Sequence, residues 1–148
     1  MNGRRHQMEA DYVRRLLPSG RSWRRAADHA LTACGLSSAA AWPVLYLGRL
    51  GDGIRQTMLA QALEVENASL VRQLNLLAEA GLIDRRADPS DRRANLLYLT
   101  PQGRAMAEQI EHIVGDVRTR ALARVSDEAL ATALAVIDQV SDALEDEA

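Results

Sequence analysis

The chain has no lysine and no phenylalanine, a single cysteine, four prolines and five aromatic residues in 148 positions. Each scarcity excludes something. One thiol, Cys34, cannot close an internal disulfide and falls short of a metal-ligating cluster, so neither a disulfide framework nor structural zinc is expected. No apolar run approaches the roughly 20 residues that a membrane helix needs. The amino-terminal stretch, with Arg4, Arg5 and His6, lacks the apolar segment of a secretion signal, so the expected compartment is the cytoplasm. There is no glycine-rich phosphate loop, no nucleophile motif and no spaced pair of metal ligands. The common enzyme classes therefore fall away, and no cofactor is expected.

What is present is ordinary in bulk and uneven in detail. Hydrophobic residues make up 47% and charged residues 26%, which suits one folded soluble domain over residues 1–148. The net charge of −2 is segregated. Residues 1–50 carry eight Arg against three acids, residues 51–100 six against seven, and residues 101–148 four against ten. Exclusive use of Arg reads as genomic base composition, but its consequence is physical: every cation is a planar fork able to grip a phosphate or a guanine edge at two points.

Apolar residues recur at helical spacing over 9–34, with Pro18-Ser19-Gly20 expected to split the segment into an arm and a helix. A second helix is predicted over 38–50, with Ala41, Val44, Leu45 and Leu47 inward, Pro43 tolerated in its first turns, and Gly51-Asp52-Gly53 ending it. Thr57 is placed to cap a short helix running to Leu63. After Glu64-Val65-Glu66, Asn67 is placed to cap another, which Gly81 stops. Two short helices around a three-residue turn form a helix-turn-helix. On the second, Leu70, Val71, Leu74, Leu77 and Ala78 form the expected apolar stripe, while Ser69, Arg72, Gln73 and Asn75 face elsewhere. Residues 82–86 and 95–99 read as strands around a loop at 87–93, a hairpin that forms a wing. Thr100-Pro101 opens a long helix to about residue 124, and Ser126-Asp127-Glu128 starts the last one. The fold class is therefore mainly α with a small β-hairpin wing (α+β), a winged helix-turn-helix.

Ser69-Leu70-Val71-Arg72, Ala80-Gly81-Leu82-Ile83, Ser90-Asp91-Arg92-Arg93-Ala94 and Leu99-Thr100-Pro101-Gln102-Gly103, in that order over residues 57–103, resemble the signature of the MarR family of transcriptional regulators. Trp23-Arg24 and Trp42 resemble its SlyA-like members. Glu64 is a departure, since relatives often have glycine in that turn. The resemblance implies a homodimer in which 38–100 is the DNA-binding lobe and 9–36 and 101–148 are helical dimerisation regions. It also implies a regulator, as a repressor the simplest case, acting at a pseudo-palindromic double-stranded operator.

A helix of this size fits the major groove, which makes Asn67, Ser69, Arg72, Gln73 and Asn75 candidate base readers. Gln56 and Thr57 can donate to phosphate from the start of the preceding helix. Arg92 and Arg93 in the wing suit the minor groove and a phosphate. In the family the acid matching Asp91 steadies an arginine, and Arg72 or a wing Arg is its natural partner; turn capping is the plainer role for such an Asp. Arg85 and Arg86 alternate along their strand, so at most one of them faces DNA.

SlyA-like relatives bind small aromatic carboxylates, and the positions here that match are Arg21, Arg24, Trp42 and Tyr46. A guanidinium can pair a carboxylate in bidentate fashion, and Trp42 and Tyr46 share a helix face. The competing reading makes Trp42 core and the arginines surface ion pairs. Cys34 offers a redox trigger, but it lies near a helix C-terminus, where the dipole disfavours thiolate, so a structural role is expected. A winged helix that binds another protein rather than DNA is the remaining alternative, and the Arg72, Arg92 and Arg93 cluster argues against it.

Overall fold

The computed structural model describes residues 2–33 and 35–146; Cys34 lies outside the described residues. Among the described residues, six helices and three strands follow in the order α1 (Asn2–Ala33), α2 (Ser38–Leu50), β1 (Ile54–Arg55), α3 (Gln56–Leu63), α4 (Asn67–Glu79), β2 (Ile83–Asp88), β3 (Asp91–Leu99), α5 (Pro101–Leu122) and α6 (Asp127–Glu145). The chain divides into two compact units, one up to Val117 and one from Arg118.

The first unit contains the predicted winged helix-turn-helix. Its core gathers Ala27 and Leu31 of α1, Ala41, Val44, Leu45 and Leu47 of α2, Leu59 and Ala60 of α3, and Leu70, Leu74 and Leu77 of α4. Trp42 of α2, Ile54, Leu82, Ile83, Leu97 and Leu99 in and beside the sheet, and Ala107, Ile110 and Val114 of α5 also belong to it. Pro43 is buried inside α2, early enough that its missing N–H costs the helix little. Ser37 caps that helix by accepting from the amide of Ala40.

One expectation about the first helix needs correction. Pro18-Ser19-Gly20 does not split it: α1 runs unbroken through Pro18. Val13, Leu16 and Leu17, apolar residues at helical spacing, are exposed. The burial of α1 starts later, at Ala27 and Leu31, and Asp28 beside them accepts a 2.7 Å hydrogen bond from Trp42 Nε1.

Three helix ends close in the same way. After α1 the amides of Gly35 and Leu36 donate to Thr32 and Leu31, after α3 those of Glu64 and Val65 to Gln61 and Ala60, and after α4 those of Gly81 and Leu82 to Ala78 and Leu77. Such a closure puts its first residue in the left-handed region, which suits glycine. Gly35 and Gly81 satisfy it; at the third site Glu64 adopts φ 55°. The turn between the two short helices is thus closed by a residue with a Cβ.

The sheet has the order β1-β3-β2, all antiparallel. Strand β1 was not anticipated, because two residues are too few to show a pattern; it pairs Ile54 with Leu97 and Arg55 with Leu96. The wing is more ordered than expected. Residues 87–93, read as a loop, instead extend both strands to a two-residue turn at Pro89-Ser90. The ladder then shifts register, from Asp88 opposite Asp91 to Ala87 opposite Asn95, so Arg92, Arg93 and Ala94 bulge from β3.

Helix α5 starts as its sequence suggests. Thr100 Oγ1 accepts from the amide of Gly103 at 3.0 Å and donates to Gly81 O at 2.6 Å, joining the end of α4 to the start of α5. A Cβ on Gly103 would lie 1.9 Å from the carbonyl oxygen of Leu82, so only glycine fits. The second unit comprises the end of α5 and α6. Ser126 caps α6 by accepting from the amide of Ala129, with Asp127 and Glu128 in the first turn. Leu134, Ile137 and Leu144 of α6 are exposed.

Candidate nucleic-acid interface

Helix α4 presents its outer face because its inner face is fixed. Leu70, Leu74 and Leu77 are buried, and successive helical residues turn by about 100°, so Ala68, Arg72 and Asn75 point the opposite way. All three are exposed. Ser69 is exposed on a flank. Gln73 lies beside the core side of the helix and is half-buried, which sets it apart from the other candidate readers. Val71 reverses the expected stripe: it is 41% exposed and borders the Arg72 face.

The expected caps are also displaced. Arg55, not Thr57, holds the N-cap position of α3, and Glu66, not Asn67, that of α4; neither side chain accepts a capping hydrogen bond. Among the described residues, the first amides of both helices thus have no side-chain acceptor at the cap position. Thr57 and Asn67 sit just inside these ends and help line a cleft of about 340 Å³, together with Arg55 and Gln56 and the wing residues Asp91, Arg93, Ala94 and Asn95. Five of the residues singled out from sequence thus meet in one cleft: Gln56, Thr57, Asn67, Asp91 and Arg93. Arg72, Asn75 and Ser69 lie on the helix surface outside it. Arg92 is exposed on the bulge.

Asp91 caps the turn of the bulge: its Oδ1 accepts from the amide of Arg93 at 3.0 Å. The acid that steadies an arginine is Asp88. Arg55 reaches it with Nε at 2.8 Å and Nη2 at 2.7 Å from Oδ2, and Nη2 also donates to Ser90 Oγ at 3.1 Å. The other oxygen, Oδ1, accepts from the amide of Ser90 at 2.8 Å and its hydroxyl at 2.7 Å. These bonds from Ser90 and the Arg55 guanidinium hold the buried Asp88 carboxyl at about pKa 2. Asp88-Pro89-Ser90 signals this turn in the sequence. Nothing in the sequence marks Arg55 as its partner, because the pair is 33 residues apart.

Arg86 faces the other way from Arg85 and stacks on Tyr98, its guanidinium carbon 4.2 Å from the ring centre. Arg85 Nε and Nη2 are buried without a hydrogen-bond partner. Asp52 accepts from Arg104 at 2.7 Å and from the amide of Leu99 at 3.3 Å, which lowers its pKa and fastens β3 and α5 beside the loop after α2.

Away from this surface, three of the four residues matched to an effector pocket come together. Arg24 lies 3.9 Å over the Trp42 ring, and Trp42 and Tyr46 have ring centres 6.5 Å apart. Trp42 is 7% exposed, its Nε1 bonds Asp28, and Arg24 Nε lies 3.5 Å from the same carboxylate. Arg21 is exposed one turn earlier on α1. A separate cavity of about 340 Å³ lies between α2 and α5, lined by Leu45, Gly48, Leu99 and Ala107 and rimmed by the ion pairs Arg49–Glu111 and Asp52–Arg104.

No single helix among the described residues is long and apolar enough to cross a membrane. Residues 35–94 match the MarR family model. The crystal structure of transcriptional regulator PA3341 is similar over 91% of this chain and 98% of that one, with 33% identity and a TM-score of 0.83. A cysteine-to-serine mutant of MarR from E. coli, solved in complex with operator DNA, is 25% identical over 88% of this chain and 93% of its own, with a TM-score of 0.73. A putative MarR family regulator from Listeria monocytogenes, complexed with 26mer DNA, shares the fold at 16% identity, with a TM-score of 0.77 and coverage of 91% and 89%. A helix-turn-helix with an exposed polar α4, a bulged arginine-bearing wing and this likeness along nearly the whole chain place it in the MarR family of transcriptional regulators.

Proposed function

We propose that the protein is a homodimeric, cytoplasmic, sequence-specific DNA-binding regulator that represses by occupying a pseudo-palindromic operator. One observation carries the reading: α4 turns Arg72 and Asn75 outward, and the start of α3 shares a cleft with Arg93 of the wing. Helix α4 enters the major groove, Arg72 takes a guanine edge and Asn75 an adenine. Gln56 and Thr57 donate to a phosphate from the start of α3. Arg92 and Arg93 contact the minor groove and the adjoining backbone. A second copy supplies the other half-site.

Anisotropy of labelled DNA from upstream of the gene, at two salt concentrations, tests this. Binding weakens steeply with salt, and Arg72→Ala loses about 1–3 kcal/mol and the preference at one position. Arg92→Ala weakens all sequences and lowers the salt slope. Binding that ignores both substitutions would instead promote a protein partner for this surface.

Release by a small aromatic carboxylate belongs to the same reading, with a SlyA-like arrangement of Arg24, Trp42 and Tyr46 and with Arg21 nearby. Asp28 is the internal carboxylate that such a ligand displaces. Titration with salicylate as probe quenches Trp fluorescence and frees the DNA if the reading holds; Arg24→Ala abolishes both.

A further inference from the structure

The outward face of α4 is not uniformly polar. Val71 belongs by spacing near the buried stripe, yet it is 41% exposed. Its helical neighbours are Asn67 and Asn75 one turn either side and Ala68 three residues earlier, all exposed, with Arg72 next in sequence. A β-branched side chain is stiff, so it holds one shape on this surface. The alanine beside it leaves room for close approach. A groove-facing surface that needed hydrogen bonds alone would gain nothing from these two residues.

The major groove has one apolar feature, the 5-methyl group of thymine. Resting on the DNA-binding reading above, we infer that Val71, with Ala68 beside it, packs against a thymine methyl within each half-site and makes that position a specificity determinant. The base lies next to the contact of Arg72, since the two side chains are adjacent at the edge of one face. Val71 forms no hydrogen bond to the base; it discriminates by covering a methyl that cytosine lacks and that purines do not present at that place.

The test uses the full-length protein and a duplex enriched by it from randomised DNA. Each thymine of the half-site is replaced in turn by uracil, which keeps the pairing and the O4 acceptor and removes the methyl alone. Wild type is expected to lose about fourfold in affinity at one thymine per half-site, the transfer value of one methyl, and about 16-fold when both half-sites are changed. Val71→Ala is expected to bind the thymine and uracil forms of that position equally. Alanine is the best helix former, so the exposed substitution keeps α4 intact, and circular dichroism verifies it. The wild-type arm stands without any variant. Equal wild-type affinity for every uracil duplex overturns the inference, as does a thymine preference that Val71→Ala leaves unchanged. In either case the enriched sequence still supports DNA binding. Failure to enrich any sequence overturns the DNA reading and this inference with it.

Discussion

Asp88 and Arg55 hold the wing at the scale of single residues. The carboxylate is buried, accepts three hydrogen bonds and sits against a guanidinium, which keeps it ionised down to about pH 2. Its pKa in the folded chain is depressed, so its contribution is complete above about pH 4 and fades as pH falls toward 2. Asp88→Asn therefore lowers the urea midpoint at pH 7, and the gap to wild type closes between about pH 4 and pH 2; a gap independent of pH would sink this account. Glu64 is the second residue with a measurable consequence. Its left-handed backbone costs an ordinary residue roughly 1–2 kcal/mol, and glycine escapes most of that. Glu64→Gly is expected to raise stability by about 1 kcal/mol in urea unfolding, and a loss would show that the Glu64 side chain contributes more than its strain costs.

Among the elements, the junction of α4, β2 and α5 is tightly closed. Thr100 ties the carbonyl of Gly81 to the first turn of α5, and Gly103 passes against the carbonyl of Leu82 with no space for a methyl. Gly103→Ala should cost about 3 kcal/mol, the upper part of the usual overpacking range, despite alanine's better helix propensity. A neutral result in thermal unfolding would mean that α5 can slide. The Leu99-Thr100-Pro101-Gln102-Gly103 run was legible in the sequence as a cap and a helix start. Why its glycine is required was not, because Leu82 lies 21 positions away and a backbone contact leaves no trace in side-chain pattern.

For the whole molecule, charge and apolar surface are separated along the chain. The carboxy-terminal third, with ten acids against four arginines, ends in a helix whose Leu134, Ile137 and Leu144 are exposed at helical spacing. An apolar stripe of that kind on an acidic helix suits another copy of the chain and disfavours DNA. Ile137→Glu should shift sedimentation toward the monomer and weaken operator binding together, since each head alone makes half the contacts. Unchanged mass would remove this helix from the proposed dimer contact.

Periodicity and punctuation were enough to place the helix-turn-helix, α2, α5 and α6, because those signals act over three or four residues: Ser126 caps where it stands, and Gly81 ends α4 by its own backbone freedom. The candidates Asn67, Arg72, Asn75 and Arg93 could be named for the same reason, as their positions follow from local helix and hairpin geometry. Tertiary packing decided the rest. It carried α1 straight through Pro18, turned Val71 outward and Gln73 toward the core, and paired Asp88 with Arg55. It also drew β1 out of two residues that have no pattern of their own. Each of these depends on partners distant in sequence, and an interaction between Arg55 and Asp88 has no energy until the chain between them has folded.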